Sequence, residues 1–287
     1  MPDTDTLRAR NHAFWTQAAP GWIRHADRQD EAGQPLGAAA MDWLRPKPGE
    51  RILDVGCGCG GTTAELAAAA GPDGETVGVD LAEPMVTAAR QRFPRDRHPG
   101  LRFVTADIET VEAVTGAPFD AVFSRMALML LADPVAGCTT IRRSLRRGGR
   151  LAATVFRDGA ANPWLAAATL GAASHVGPLP PLPMGDEPGP FAFADPGRVK
   201  RILTTAGFDA IMVQPHDVTL NAPDEGEVVA EWLIEMGPAG AAYRASAPPS
   251  RAAARAAAAR LFERFREPGA GYRFPAGIWL VTAGAAP

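Results

Sequence analysis

The sequence predicts an α/β fold: an open, doubly wound, mostly parallel sheet with helices on both faces. Two observations carry this. Short apolar strands alternate with helical stretches along the first half of the chain, the order that builds parallel sheets. Three successive strands also end in an aspartate, at Asp54, Asp80 and Asp107. In an open parallel sheet such ends converge on one crevice, where ligands bind.

The central stretch is residues 51–63, RILDVGCGCGGTT. Ile52, Leu53 and Val55 form the apolar run of a buried strand, and Asp54 sits near its carboxyl end. Gly56, Gly58 and Gly60 alternate through the turn, and TTAELAAAA from Thr62 is strong helix-forming sequence that stops at Gly71. A strand, glycine turn and helix present a helix N-terminus and bare backbone to a ligand. Glycines are needed there because a Cβ blocks close backbone approach. A dinucleotide fingerprint runs its apolar strand straight into Gly-x-Gly-x-x-Gly, whereas here a carboxylate precedes an alternating-glycine loop. A carboxylate repels pyrophosphate and attracts an ammonium or sulfonium group. The arrangement resembles the first motif of class I S-adenosylmethionine (SAM) dependent methyltransferases, with a nicotinamide-dependent oxidoreductase as the alternative.

Composition sets the outer limits. The 287 residues are 46% apolar and 21% charged, with a formal net charge of −3. That suits one large domain, or a core with a smaller lid, and no disorder. The polar N-terminus (MPDTDTLRARNH) lacks the apolar core of a signal peptide, and no window is apolar enough to span a bilayer. Cys57, Cys59 and Cys138 give an odd count, and a Cys-x-Cys pair without further ligands is poor metal spacing. We therefore expect no metal, small tolerated residues in a tight loop, and a reduced cytoplasmic setting.

In chain order, residues 6–22 carry apolar positions at mixed spacing and then a break at Pro20-Gly21. A second helical run covers roughly 37–44. Trp15, Trp22 and Trp43 lie in this segment, either as core anchors or, for Trp22, as an aromatic lid over a sulfonium through cation–π attraction. The second strand, Thr76–Asp80, leads into a helix with Pro84 in its first turn and Met85, Val86, Ala89 and Phe93 on its apolar face. Asp80 lies 20 residues after Gly60, a distance that suits hydrogen bonds to ribose hydroxyls. The third strand is 101–106 and the fourth 119–124, followed by Arg125. A helix then starts at Asp133-Pro134 and closes at Gly148, with Arg142, Arg143, Arg146, Arg147 and Arg150 on its solvated face. The fifth strand is 151–156. Beyond it we expect helices over 162–173, 195–206, 223–236 and 250–266, strands over 209–220 and 278–282, and a proline-rich loop over 177–190. The 250–266 helix is read as capped by Ser250, with Ala254, Ala257, Leu261 and Phe265 inward.

The segments FSRMALMLLADPVAGCTTIRRSLRRGGRLAATVFRD, FAFADPGRVKRILTTAGFDAI and FPAGIWLVTAGA resemble bacterial ubiquinone/menaquinone-biosynthesis-type (UbiE-like) methyltransferases. The resemblance implies a Rossmann-like, seven-stranded sheet whose last strand is antiparallel. It implies one methyltransferase domain, 1–287, with a helical lid at 1–45 and a SAM-binding core at 46–158. Substrate-side insertions would lie at 159–194 and 221–270, and the remaining core helix and strands at 195–220 and 271–287. Carried over by motif, Asp54, Gly56, Gly58 and Gly60 would hold the methionine moiety of SAM and Asp80 the ribose, with Leu81 and Met85 beside it. Asp107 and Ile108 would hold the adenine. Ser124 would sit at the rim beside the transferable methyl, and Arg125 and Trp22 complete the candidate cofactor-binding residues. The related pattern often has Phe-Gly after Ser-Arg, where this chain has Met126-Ala127.

Methyl transfer from a sulfonium is an in-line displacement that releases neutral S-adenosylhomocysteine (SAH). The protein need only exclude water and align the nucleophile. A base matters when the acceptor carries a proton, and His25, His175 and His216 are the weak candidates. The segment after the fourth strand lacks the Asn/Asp-Pro-Pro-Tyr-like motif of base-amine methylation. Cys138 sits inside a helix rather than where a cytosine-C5 nucleophile belongs, and the net charge is wrong for a generic nucleic-acid binder. The expected partner is a small-molecule methyl acceptor, with no nucleic acid and no membrane span, and with a homodimer compatible. A SAM-binding protein acting on a macromolecule is the remaining alternative.

Overall fold

A computed structural model describes residues 3–286 except 181, 182, 184 and 224. Parts of the proline-rich stretch, one position of the 221–270 segment and the chain's two ends thus lie outside the described residues. Two helices come first, α1 (Thr4–Arg24) and α2 (Ala26–Leu44), followed by β1 (Arg51–Val55), α3 (Gly61–Ala70), β2 (Glu75–Asp80), α4 (Glu83–Arg92) and β3 (Leu101–Thr105). Next are β4 (Phe119–Arg125), a 3-10 turn (Leu128–Leu130), α5 (Pro134–Ser144), β5 (Leu145–Phe156), α6 (Leu165–Ala172), α7 (Pro196–Thr205) and β6 (Asp209–Ala222). The chain ends with α8 (Gly226–Met236), α9 (Gly240–Ala245), α10 (Pro248–Phe262), a 3-10 turn (Glu263–Phe265), β7 (Arg266–Glu267) and β8 (Gly271–Gly284).

The strands form one sheet in the order β3-β2-β1-β4-β5-β8-β6, with the two-residue β7 paired to β8. The pairs from β3 to β5 are parallel, and β8 runs antiparallel to both β5 and β6. The expected α/β architecture is therefore present, with an antiparallel last strand. Strand order reverses between β1 and β4, so their carboxyl ends diverge and leave a crevice. The C-terminal end of α2, together with α3, packs on the sheet through Ala40, Leu44, Ile52, Leu66 and Phe123, all fully buried or nearly so.

Several boundaries differ from expectation for local reasons. Helix α1 runs through Pro20 instead of breaking there. Pro20 and Thr16 are both exposed, so water can satisfy the carbonyl that the missing proline N–H leaves free. Helix α2 begins eleven residues before the expected 37. Helix α5 ends at Ser144, and Leu145 is already extended (φ −83°, ψ 141°), so Arg146, Arg147 and Arg150 lie on β5 and not on a helix face. Arg150 forms a two-pronged pair with Glu50 (both 2.8 Å), and Arg146 pairs with Asp120. Helix α10 starts at Pro248, which places Ser250 inside it. Its buried stripe is Ala254, Ala258 and Phe262, while Leu261 faces solvent. Helix α9 has no counterpart in the sequence reading.

Phe123 is fully buried at the centre of β4, and its ring fills the space left by Gly37 of α2. Phe123→Ala is expected to cost about 3–5 kcal/mol, read as a lower urea midpoint at unchanged m-value.

Candidate functional site

One cavity opens over the carboxyl ends of β1, β2, β3 and β4, with α1 and α2 as its roof. Asp54, Gly56, Gly58, Asp80, Leu81, Met85, Asp107, Ile108, Arg125 and Trp22 all line it. Two expected residues do not. Gly60 lies behind the loop, where an added Cβ would press on the Phe103 ring. Ser124 is fully buried, and its hydroxyl donates to the Val55 carbonyl (2.9 Å), holding β4 against β1 rather than facing the cavity.

The glycine loop is shaped by β2. The amides of Gly56 and Cys57 both donate to the Val79 carbonyl (2.8 and 3.1 Å). Gly58 donates to Asp80 Oδ2 (3.0 Å), and Ala82 donates to Asp80 Oδ1 (2.9 Å). Burial raises the Asp80 carboxyl above its usual value, against the pull of these backbone N–H groups. Each oxygen retains a second lone pair for a ligand hydroxyl. Asp54 is 1% exposed and accepts the Thr63 hydroxyl (2.7 Å). Burial pushes its carboxyl up to about 7, with Thr63 and Arg125 opposing and Asp80 and Glu65 adding. At the far end, Asp107 accepts the Glu109 amide (2.9 Å), and the Glu109 carboxylate accepts the amides of Ala132 and Asp133. That contact fixes the loop carrying Leu130 and Leu131, two apolar residues of the wall.

The roof supplies residues that sequence reasoning missed: Asn11, Gln29, Asp30 and Leu36, with Trp15 set edge-on to Trp22 at 5.6 Å. Asp30 pairs with Arg92 (2.8 Å) and approaches Arg125 (3.7 Å), and its carboxylate occupies the space where a Gly61 side chain would stand. The corner between α1 and α2 is tied to α8. Glu235, 1% exposed, accepts Arg24 (2.9 Å) and contacts His25 Nε2 (3.2 Å), while the Trp22 indole donates to the Met236 carbonyl (3.2 Å). Burial raises the Glu235 carboxyl, but the His25 bond and the Arg24 and Arg244 charges outweigh it and leave it low. Of the three histidine candidates, none lines the cavity. His25 is engaged by Glu235, His175 lies in the turn after α6, and His216 is exposed on β6.

Met126 is held at φ 58°, one of three non-glycine residues with positive φ among the described residues, and it lines the cavity. Such strain persists only where the surroundings impose it. Beside it, the Ala127 methyl sits where a Gly56 side chain would overlap it, so Gly56 and Ala127 interlock. Gly58 also has positive φ (52°) but open space around its Cα. Gly58→Ala is thus expected to cost about 1–2 kcal/mol from backbone strain alone. Gly56→Ala should add a further ~1–3 kcal/mol from overpacking. In thermal melts, Ala127→Gly should recover that second part in the Gly56→Ala background and none of it with Gly58→Ala.

A family model described as a methyltransferase domain matches residues 52–149. Nocamycin O-methyltransferase of Saccharothrix syringae is 31% identical over 211 residues, 71% of this chain and 75% of that enzyme. Demethylmenaquinone methyltransferase of Beutenbergia cavernae is 35% identical over 119 residues, 41% of this chain and 45% of that enzyme. Of other curated relatives the chain spans about half the length. Among solved structures, phosphoethanolamine N-methyltransferase 2 of Haemonchus contortus in complex with SAM superposes with a TM-score of 0.52 at 18% identity. That match covers 88% of this chain and 52% of that one, a likeness of fold. Because the nocamycin enzyme is over 30% identical along most of both chains, and the methyltransferase-domain model matches the core, the chain belongs to the SAM-dependent methyltransferases, with SAM as its methyl donor.

Proposed function

We propose that this enzyme transfers the methyl group of SAM in-line to a small, largely apolar acceptor held between the glycine loop and the α1–α2 roof. The convergence of Asp54, Asp80 and Asp107 with the loop on one cavity carries this reading. In it, Asp54, Gly56 and Gly58 receive the methionine moiety. Asp80 binds the ribose between Leu81 and Met85, and Asp107 with Ile108 binds the adenine. Trp22 faces the sulfonium, Arg125 borders the methionine end, and Ser124 and Gly60 shape the loop from behind. Family membership removes the nicotinamide alternative. The 1–45 segment acts as the lid, and the insertions at 159–194 and 221–270 select the acceptor. Trp15, Met126, Leu130 and Leu131 give the acceptor end an apolar wall. A UbiE-like subgroup is supported by the demethylmenaquinone relative, and an oxygen acceptor by the nocamycin O-methyltransferase. A cytoplasmic setting is supported by three unpaired cysteines. Among the described residues, no helix is long and apolar enough to cross a membrane.

Calorimetric titration with SAM and SAH tests the site. Asp80→Ala is expected to weaken both by about 1–3 kcal/mol through lost ribose hydrogen bonds, with the far-UV circular dichroism retained. Unchanged affinity removes Asp80 from the site. The raised Asp54 carboxyl gives a pH test. A cationic ligand favours the carboxylate, so binding lowers the Asp54 pKa and releases a proton when the free site is protonated. Affinity for SAM should therefore fall as pH drops below about 7, by at most about tenfold per pH unit. Asp54→Asn should flatten this dependence.

A further inference from the structure

One end of the cavity holds hydrogen-bond donors with nothing to donate to. Helix α3 starts at Gly61 behind an N-cap, Gly60, that has no capping side chain. Among the described residues no acceptor takes the amides of Gly61, Thr62 or Thr63. Such N–H groups carry the positive end of the helix dipole and favour an anion at the first turn. The side chains there agree. Thr62 lines the cavity and is 6% exposed, and its hydroxyl has no hydrogen-bond partner among the described residues. The Thr63 hydroxyl, by contrast, is spent on Asp54. A nearly buried hydroxyl left unpaired is costly, so a ligand that pairs it gains.

Two further donors border the same end. Gln29 of α2 lines the cavity with its amide unpaired among the described residues. Its Nε2 and the Arg125 Nη1 stand 3.4 and 3.7 Å from one point, the place a Gly33 side chain would take. Glycine at 33 thus leaves room for the amide and the guanidinium side by side. Asp30 links them to α3: its carboxylate rests against Gly61, and Arg125 is 3.7 Å from it, beyond hydrogen-bond reach. Asp30 takes no α3 amide, and Arg92 holds it at 2.8 Å. Asp54 reaches the start of α3 through Thr63 (2.7 Å). A carboxylate and a set of unused donors therefore flank one helix start, the pairing that an α-amino acid zwitterion requires.

We propose that Gln29, Thr62 and the first amides of α3 receive the carboxylate of the cofactor's methionine end, with Arg125 as the cation beside them. The inference rests on the SAM site described under the proposed function and deepens it. Of these donors, Gln29 alone belongs to the roof, while Thr62, Arg125 and the α3 amides belong to the sheet and its helix layer. A carboxylate held between them ties α2 to α3. Gln29 is thereby a specificity residue for the cofactor: it lets the roof read whether the amino-acid end is complete. Decarboxylated SAM and 5′-methylthioadenosine lack the group that makes the tie, and the site selects against both.

The test titrates the full chain calorimetrically with three ligands. These are SAH, its decarboxylated analogue, which keeps the ammonium and loses only the carboxylate, and 5′-methylthioadenosine, which lacks the whole amino-acid end. The wild type should bind SAH at least about tenfold more tightly than the decarboxylated analogue, because hydrogen bonds to a charged group are at stake. Equal binding of these two by the wild type overturns the proposal before any variant is made. Gln29→Leu should weaken SAH about five- to tenfold and move the decarboxylated analogue less than about twofold, so that the ratio between them collapses. Thr62→Val, of the same shape without the hydroxyl, should show the same ligand-dependent loss. A purely structural role for Gln29 weakens both ligands equally, and that result overturns the proposal, as does an unchanged SAH affinity. Binding of 5′-methylthioadenosine as tight as that of SAH leaves the nucleoside site standing and removes the carboxylate receptor. Binding of none of the three strikes the cofactor site itself, and this inference with it.

Discussion

The site depends on one carboxylate at the end of a strand. Asp80 takes an amide from the glycine loop on one oxygen and an amide from the start of α4 on the other. It thereby joins the β1–α3 turn to the β2–α4 turn. Its burial is tolerable because those N–H groups replace the water it loses. With the loop drawn onto β2, the backbone around Gly58 lies bare at the mouth of the crevice. A ligand hydroxyl there competes with nothing, since the carboxylate has lone pairs in reserve.

A second constraint acts from above. The α1–α2 roof has little apolar burial of its own on α1, where only Ala18, Ala19 and Gly21 are buried. Its position comes from polar anchoring at the corner, where Glu235 collects Arg24 and His25, and Arg244 reaches the Gln17 carbonyl. Gly21 lets the helix approach the Glu235 backbone closely, since a Cβ there would press on that carbonyl. A buried carboxylate among several cations is costly to strip of its partners, so the corner holds one geometry. That geometry sets Trp22 and Trp15 over the cavity.

The fold was legible because its signals are local. The β1 to β4 strands, the loop and the three aspartates each announce themselves within a few residues, and the antiparallel last strand followed from family likeness. What escaped was tertiary. Pro20 reads as a break in one dimension, yet it is harmless on a face open to water. The turn from α5 to β5 falls at Ser144 because Leu145 pairs with Phe119, a partnership that Gly148, as a stop signal, conceals. In α10 the alanine-rich sequence offers several equivalent faces, and only packing on α6, where Ala258 meets Gly171, selects one. Asp30, Glu109 and Glu235 sit in ordinary charged stretches, and nothing in their neighbours marks them as parts of a wall or an anchor.

The anchoring of the roof also orders events during folding. Glu235 and His25 are 210 positions apart, so a contact near the beginning of the chain waits on one near its last fifth. Long-range closures of this kind form late, because their entropy is lost before their contacts repay it. The β1–β2 turn, by contrast, closes over 22 residues between Gly58 and Asp80. A nascent chain therefore completes its glycine loop while the helices that will cover it are still unmoored. The cavity is born open, and it acquires its ceiling only when the second half of the protein arrives.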